Sequence, residues 1–132
     1  MADIAKSGTP SLCSVLPNPS ANKITGLVAG EAVAAGDACY IKSDGKIWRS
    51  IGTAANAAAK VDGFAPIAAA VNDALTLVFD VNVNYGASLT PGARFFVGAA
   101  AGALADAATT GGTAAVAFAI DATRLRVLQS RY

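Results

Sequence analysis

One segment of this chain is written twice. Gly30–Ser50 reads GEAVAAGDACYIKSDGKIWRS, and Gly86–Ala107 reads GASLTPGARFFVGAAAGALADA. Gly30 matches Gly86, Val33 matches Leu89, Gly36 matches Gly92, Tyr40 matches Phe96 and Ile41 matches Val97, all at one constant offset. An extra Ala in the second copy then aligns Gly45 with Gly102 and Ile47 with Leu104. Further on, Gly63-Phe64-Ala65 answers Ala117-Phe118-Ala119. In the first copy Asp44-Gly45 separates two short β-prone runs. That is a hairpin signal, because glycine tolerates the positive φ of the turn. The repeat predicts two copies of one β unit within a single small domain.

The 132 residues suit one domain and bury roughly two thirds of their unfolded surface without a staple. Much of the apolar content is Ala, and only 14% of residues are charged, with net charge +1. A surface so small and neutral fits either close packing against other chains or a thin-cored, Ala-rich domain. Near-zero net charge gives no footprint for nucleic acid or for an acidic membrane. No apolar run is long enough to span a bilayer, and the N-terminus has no apolar signal core, so export is not expected. Without export, Cys13 and Cys39 are expected as free thiols.

Residues 1–22 read as an extended arm. Pro10, Pro17 and Pro19 fix φ and lack amide donors, which disfavours helix. Leu12, Val15 and Leu16, with Pro17 beside them, are its apolar anchors, against this domain or a neighbouring subunit. Residues 23–132 then form one β domain. Strands are predicted at Lys23–Val28, Ala38–Lys42 and Lys46–Ser50. Thr53–Lys60 is the one helix-like segment, with Thr53 as its cap and room for one or two turns. Phe64–Ala70 reads as a strand interrupted by Pro66, hence not central in its sheet. Leu75–Tyr85 alternates at period two and reads as one long strand with Leu75, Leu77, Phe79, Val81, Val83 and Tyr85 facing a core. Arg94–Val97 pairs with Ala103–Ala105, residues 109–113 form a flexible loop, Ala115–Ile120 is a strand, and Arg124–Val127 is the last. The expectation is an all-β fold: a compact small sandwich or barrel of two related hairpin units, with at most one short helix.

Histidine is absent from the sequence. That removes the commonest general base and metal ligand, and with them Ser-His-Asp and Cys-His nucleophile arrangements. Two cysteines do not make a zinc site, and no phosphate-binding glycine loop is present. No catalytic, cofactor-binding or metal residue is assigned. Asp37, Asp44 and Asp62 sit beside Gly and read as turn residues. Asp80, Asn82 and Asn84 make a polar stripe on one strand face, a weak candidate for a cation. Trp48, Phe64, Tyr85, Phe95, Phe96 and Phe118 read as core. Trp48 beside Arg49 is also a candidate interface anchor, since Trp and Arg are enriched at interface hot spots. Arg124 and Arg126 project outward from the last strand, either as a solvated edge or as a subunit contact.

Four motifs now stand in order: ITGLVAGEAVAAGDACYIKSDGKIW, then DGFAP, then NYGASLTPGARFFVGAAAGALAD, then AFAIDATRLRVL. From Ile24 to Leu128 this order and spacing resembles the small head decoration proteins of tailed bacteriophages, the capsid cement proteins. The resemblance implies a compact β fold, often a homotrimer, with no enzymatic activity and no cofactor. Such a protein is made in the bacterial cytoplasm and binds the major capsid protein on the outer surface of the expanded head. The Ala-rich loops and the long arm depart from the family pattern, which leaves the arm's partner, shell or neighbouring subunit, open. Two other readings compete. One is another structural component, of a phage tail or fibre or of a surface layer. The other is a β-clip-like ligand-binding or enzymatic domain, since VAAGDACY also resembles the turn of those folds.

Overall fold

Gly36 and Gly92 have φ of 85° and 84°, and Gly45 and Gly102 have φ of 81° and 78°. These are left-handed values, which glycine adopts at no steric cost. Matched positions of the two copies therefore turn the chain in the same way. In the computed structural model, which describes residues 2–12 and 22–130, the copies build two sheets. The strands are β1 (Ser11–Leu12), β2 (Lys23–Val28), β3 (Ala38–Ile41), β4 (Ile47–Arg49), β5 (Gly63–Phe64), β6 (Ala74–Val78), β7 (Val81–Asn84), β8 (Arg94–Val97), β9 (Leu104–Ala105), β10 (Ala117–Ala119) and β11 (Arg124–Val127). The first sheet runs β2-β6-β5-β3-β4 and the second runs β7-β11-β10-β8-β9, with β1 added outside β7. The two copies thus share one strand order. All strand pairs are antiparallel, and the sheets form a small sandwich rather than a closed barrel.

The layers stack front to back. On one side of the first sheet, Cys39, Ile47, Leu75 and Leu77 enter a core closed by Val33, Ala65 and Ala69 of its own loops. On the other side, Ala38, Phe64 and Val78 enter a core with Val81, Val83, Phe95, Val97, Leu104, Leu125 and Val127 of the second sheet. Yet Phe95 is the repeat equivalent of Cys39, and Leu104 that of Ile47. The back of the first unit therefore packs on the front of the second, and the back of the second faces outward. Phe64 pairs with Ala38, and its equivalent Phe118 pairs in the same way with Arg94. Phe64 is 1% exposed, whereas Phe118 is 40% exposed. Phe118 is therefore not a core residue, contrary to the expectation from its apolar strand.

The arm closes both outer edges of the second sheet. Asp3 bridges Ala105, and Ile4 N–H donates to Leu104 O at 2.9 Å, beside β9. Ser7 N–H donates to Tyr85 O at 2.7 Å, and Ser11 and Leu12 pair with Asn84 and Val83. In the first sheet the carbonyl equivalent to Leu104 O is that of Ile47, and Gly30 N–H donates to it at 2.8 Å. The arm thus supplies to the second unit a donor that the first unit takes from its own loop.

Several local expectations differ from the structure. The run Leu75–Tyr85 is two strands in different sheets, separated at Asp80, whose φ is 54°. Its alternation continues across the break because both strands face cores. Phe64–Ala70 is a strand only as far as Phe64, and β5 is central in its sheet. Pro66 lies beyond the paired residues and so removes no ladder bond. Thr53–Lys60 contains a single turn of 3-10 helix, Ala57–Ala59, capped by Asn56 Oδ1 on Ala58 N–H at 3.0 Å. Five alanines, interrupted by Asn56, are too few to offset helix nucleation. The loop at residues 109–113 is tied down: Thr109 Oγ1 donates to Val97 O at 2.9 Å and accepts from Gly112 N–H at 3.0 Å.

Candidate interaction surface

The outward side of the second sheet is built by register. Phe118 stands opposite Arg94 on one side and Arg126 on the other, and Arg126 stands opposite Asn82. Alternation turns Ala117 and Ala119 inward and this row outward. Arg126 Nη1 donates to Asn82 Oδ1 at 3.1 Å. At the neighbouring level, Arg124 stands opposite Asn84, which in turn stands opposite Ser11 of the arm. Arg124 Nε lies 2.7 Å from Asp121 Oδ2. Asp121 also accepts from the N–H groups of Thr123 and Arg124, at 3.0 and 2.9 Å. The Thr123 amide and the Arg124 side chain hold its carboxyl down, to about 2. Both arginines face outward as expected, but β11 lies inside its sheet, between β7 and β10, and is not an edge. Edge protection therefore does not explain them. Phe118 with its flanking arginines has the composition of an interface hot spot.

The opposite end of the molecule also exposes apolar side chains. Residues 65–73 form a long loop over the first unit's own core. Ala69 is held by reciprocal bonds with Val33, at 2.9 and 3.0 Å. Ile67 and Val71 on either side of it are 63% and 54% exposed. The equivalent connection in the second unit, residues 120–123, is much shorter. Pro66 and the Asn72-Asp73 turn bounded this loop in the sequence, but the apolar run between them reads as strand.

The other predicted surface residues are placed as follows. Trp48, on β4, is half-buried: its indole Nε1 donates to Asp44 Oδ2 at 3.1 Å, and Lys42 Nζ lies 4.5 Å above the ring. Gly30 packs under the same ring, where a Cβ would come within 2.5 Å of it. Trp48 is thus held by its own hairpin and does not belong to either exposed end. Leu12 is engaged within this chain, against Val83, rather than free for a neighbour. Val15, Leu16 and Pro17 lie outside the described residues, as does Cys13. Cys39 is a free, buried thiol, and burial pushes its pKa up.

The acidic residues serve structure. Asp37 Oδ1 accepts from Lys6 Nζ at 2.7 Å, and its Oδ2 accepts from Ala34 N–H at 2.8 Å. Asp62 accepts from Ile41 N–H at 2.7 Å, across strands rather than within its own turn. Asn82 bonds to Arg126 and Asn84 to Ser11, so the polar stripe with Asp80 joins neighbouring strands. Among the described residues no three Cys, Asp or Glu side chains converge as a metal site. No helix among them is long and apolar enough to cross a membrane. Comparison with protein-family models, curated proteins and solved structures finds no match to this chain.

Proposed function

We propose that the chain is a structural assembly protein that decorates the outside of an expanded tailed-phage head and stabilises its shell. One observation carries the assembly class: large exposed apolar side chains stand at both outer ends of the stack, Phe118 on one and Ile67 with Val71 on the other. Apolar groups left exposed at two opposed ends suit a unit that docks to other protein. The finer reading, a head decoration protein with the major capsid protein as partner, rests on the ordered motifs from Ile24 to Leu128. A partner that binds only the expanded shell stabilises it by mass action, and several weak contacts from one oligomer add through effective concentration. The test is sedimentation of the purified protein with expanded and with unexpanded heads assembled from the phage's own shell protein and stripped of decoration. Co-sedimentation with expanded heads alone is expected. Failure to bind expanded heads overturns the reading.

A further inference from the structure

The internal contact between the two units has a direction. The back of the first unit, with Phe64, packs on the front of the second, so one molecule already contains a head-to-tail step. Such a contact leaves one back and one front unused. The unused back is that of the second unit, where Phe118, the equivalent of Phe64, is 40% exposed. The unused front is that of the first unit, where residues 65–73 cover the core and expose Ile67 and Val71. Among the described residues, these three are the exposed large hydrophobics. They occupy the two surfaces that the internal step leaves open.

We infer that copies of this chain associate head to tail, with the Arg94–Phe118–Arg126 face of one copy seated on the Ile67–Val71 loop of the next. Charge favours this over a symmetric pairing of two Phe118 faces. Arg94 and Arg126 flank Phe118 in register, so a twofold contact centred on Phe118 sets arginine against arginine. The 65–73 loop instead carries the exposed Asp73, with Lys46 Nζ on the neighbouring Asn72 Oδ1 at 3.3 Å, so the arginines meet a surface of mixed charge rather than one of their own sign. A head-to-tail contact uses two different surfaces and closes into a ring when its rotation permits. The contact need not copy the internal one in detail, because the longer loop has replaced the open front that the second unit presents to Phe64.

This deepens the assembly reading above and is independent of the shell, since it concerns the purified chain alone. The test combines native mass with directed disulfide formation in a Cys13→Ser background, leaving buried Cys39 in place. Wild type is expected to run at a multiple of 13.1 kDa. Phe118→Asp and Ile67→Asp should each return it to monomer, with an unchanged circular dichroism spectrum. Arg94→Glu, exposed and harmless to the core, should weaken association at least tenfold. A mixture of Phe118→Cys and Ile67→Cys chains should cross-link, while neither variant alone should. A monomeric wild type overturns the proposal, as do Phe118→Cys chains that cross-link to one another, or an oligomer that survives Phe118→Asp and Arg94→Glu. A monomer that still sediments with expanded heads would remove this contact and leave the decoration reading standing. An oligomer that ignores heads would do the reverse.

Discussion

Lys6 Nζ lies 2.7 Å from Asp37 Oδ1, and this ion pair fixes the arm to the turn that opens the first repeat. The repeat equivalent of Asp37 is Ala93, so the bond has no counterpart in the second unit. The Asp37 side chain is 6% exposed and that of Lys6 is 26% exposed. Lys6→Ala leaves the carboxylate buried with only the Ala34 amide. A fully buried pair broken in this way costs about 3–5 kcal/mol, and the exposure of Lys6 reduces that to about 1–2 kcal/mol. Asp37→Ala removes both bonds and should cost about 3 kcal/mol. Urea unfolding midpoints at unchanged slope would measure both. Limited proteolysis should cut the first ten or so residues sooner in Lys6→Ala than in wild type. Equal cutting would mean that the backbone pairing of Ile4, Ser7 and Ser11 holds the arm unaided.

The two equivalent phenylalanines should differ sharply in what they contribute to the isolated chain. Phe64→Ala empties a site in the core shared by both sheets and should cost about 3–5 kcal/mol at any protein concentration. Phe118→Ala, in solutions dilute enough to keep copies apart, should lie within about 0.5 kcal/mol of wild type. Chemical denaturation over a range of concentrations separates the two. A large, concentration-independent loss for Phe118→Ala would place that ring in the monomer's own core and contradict the front-to-back packing.

That contrast marks how far the fold was legible. The glycine spacing carried the repeat, since Gly36 and Gly92 need the same left-handed turn, and the Asp44-Gly45 hairpin follows from the same chemistry. Period-two alternation identified Leu75, Leu77, Val81 and Val83 as inward but could not locate the break at Asp80. A left-handed Asp costs little and leaves the alternation intact. The stacking direction was not legible at all. Phe64 and Phe118 sit in nearly identical local sequences, and their opposite burial depends on which face of each sheet meets the other. Arg94 and Arg126 became one surface with Phe118 only through cross-strand register between residues far apart in the chain. The Lys6–Asp37 bond was equally hidden, because Asp37-adjacent glycine reads as an ordinary turn.

Gly30 and the Trp48 indole are in contact, and a methyl at position 30 would come within 2.5 Å of the ring. Gly30→Ala forces the ring and the Gly30 loop apart, and the ring is the side chain expected to give, against its bond to Asp44 at 3.1 Å and the cover of Lys42. Overpacking of this kind costs about 1–3 kcal/mol. The chain contains one Trp, so its fluorescence reports this site alone. Emission should shift to the red in the folded variant as the indole moves into water, together with a lower thermal midpoint. Unchanged emission would mean that the loop at Gly30 moves instead of the ring.

Asp121 should leave a signature in acid. Its carboxyl accepts from the Thr123 and Arg124 amides and pairs with the Arg124 guanidinium, and its folded pKa is about 2, below the ordinary Asp range. Above about pH 5 both folded and unfolded chains carry the ionised group, and its contribution to stability is complete. As the pH falls from about 5 to about 2, the unfolded chain takes up the proton first. Over that interval it binds more protons than the folded chain, so the contribution is lost progressively. Asp121→Asn cannot titrate, and the difference in thermal midpoint between wild type and this variant should shrink across that interval. A carboxyl titration followed by NMR should give a midpoint near 2 for Asp121 in wild type and a higher one in Arg124→Ala. A wild-type midpoint in the ordinary Asp range would mean that the Asp121–Arg124 turn is open in solution.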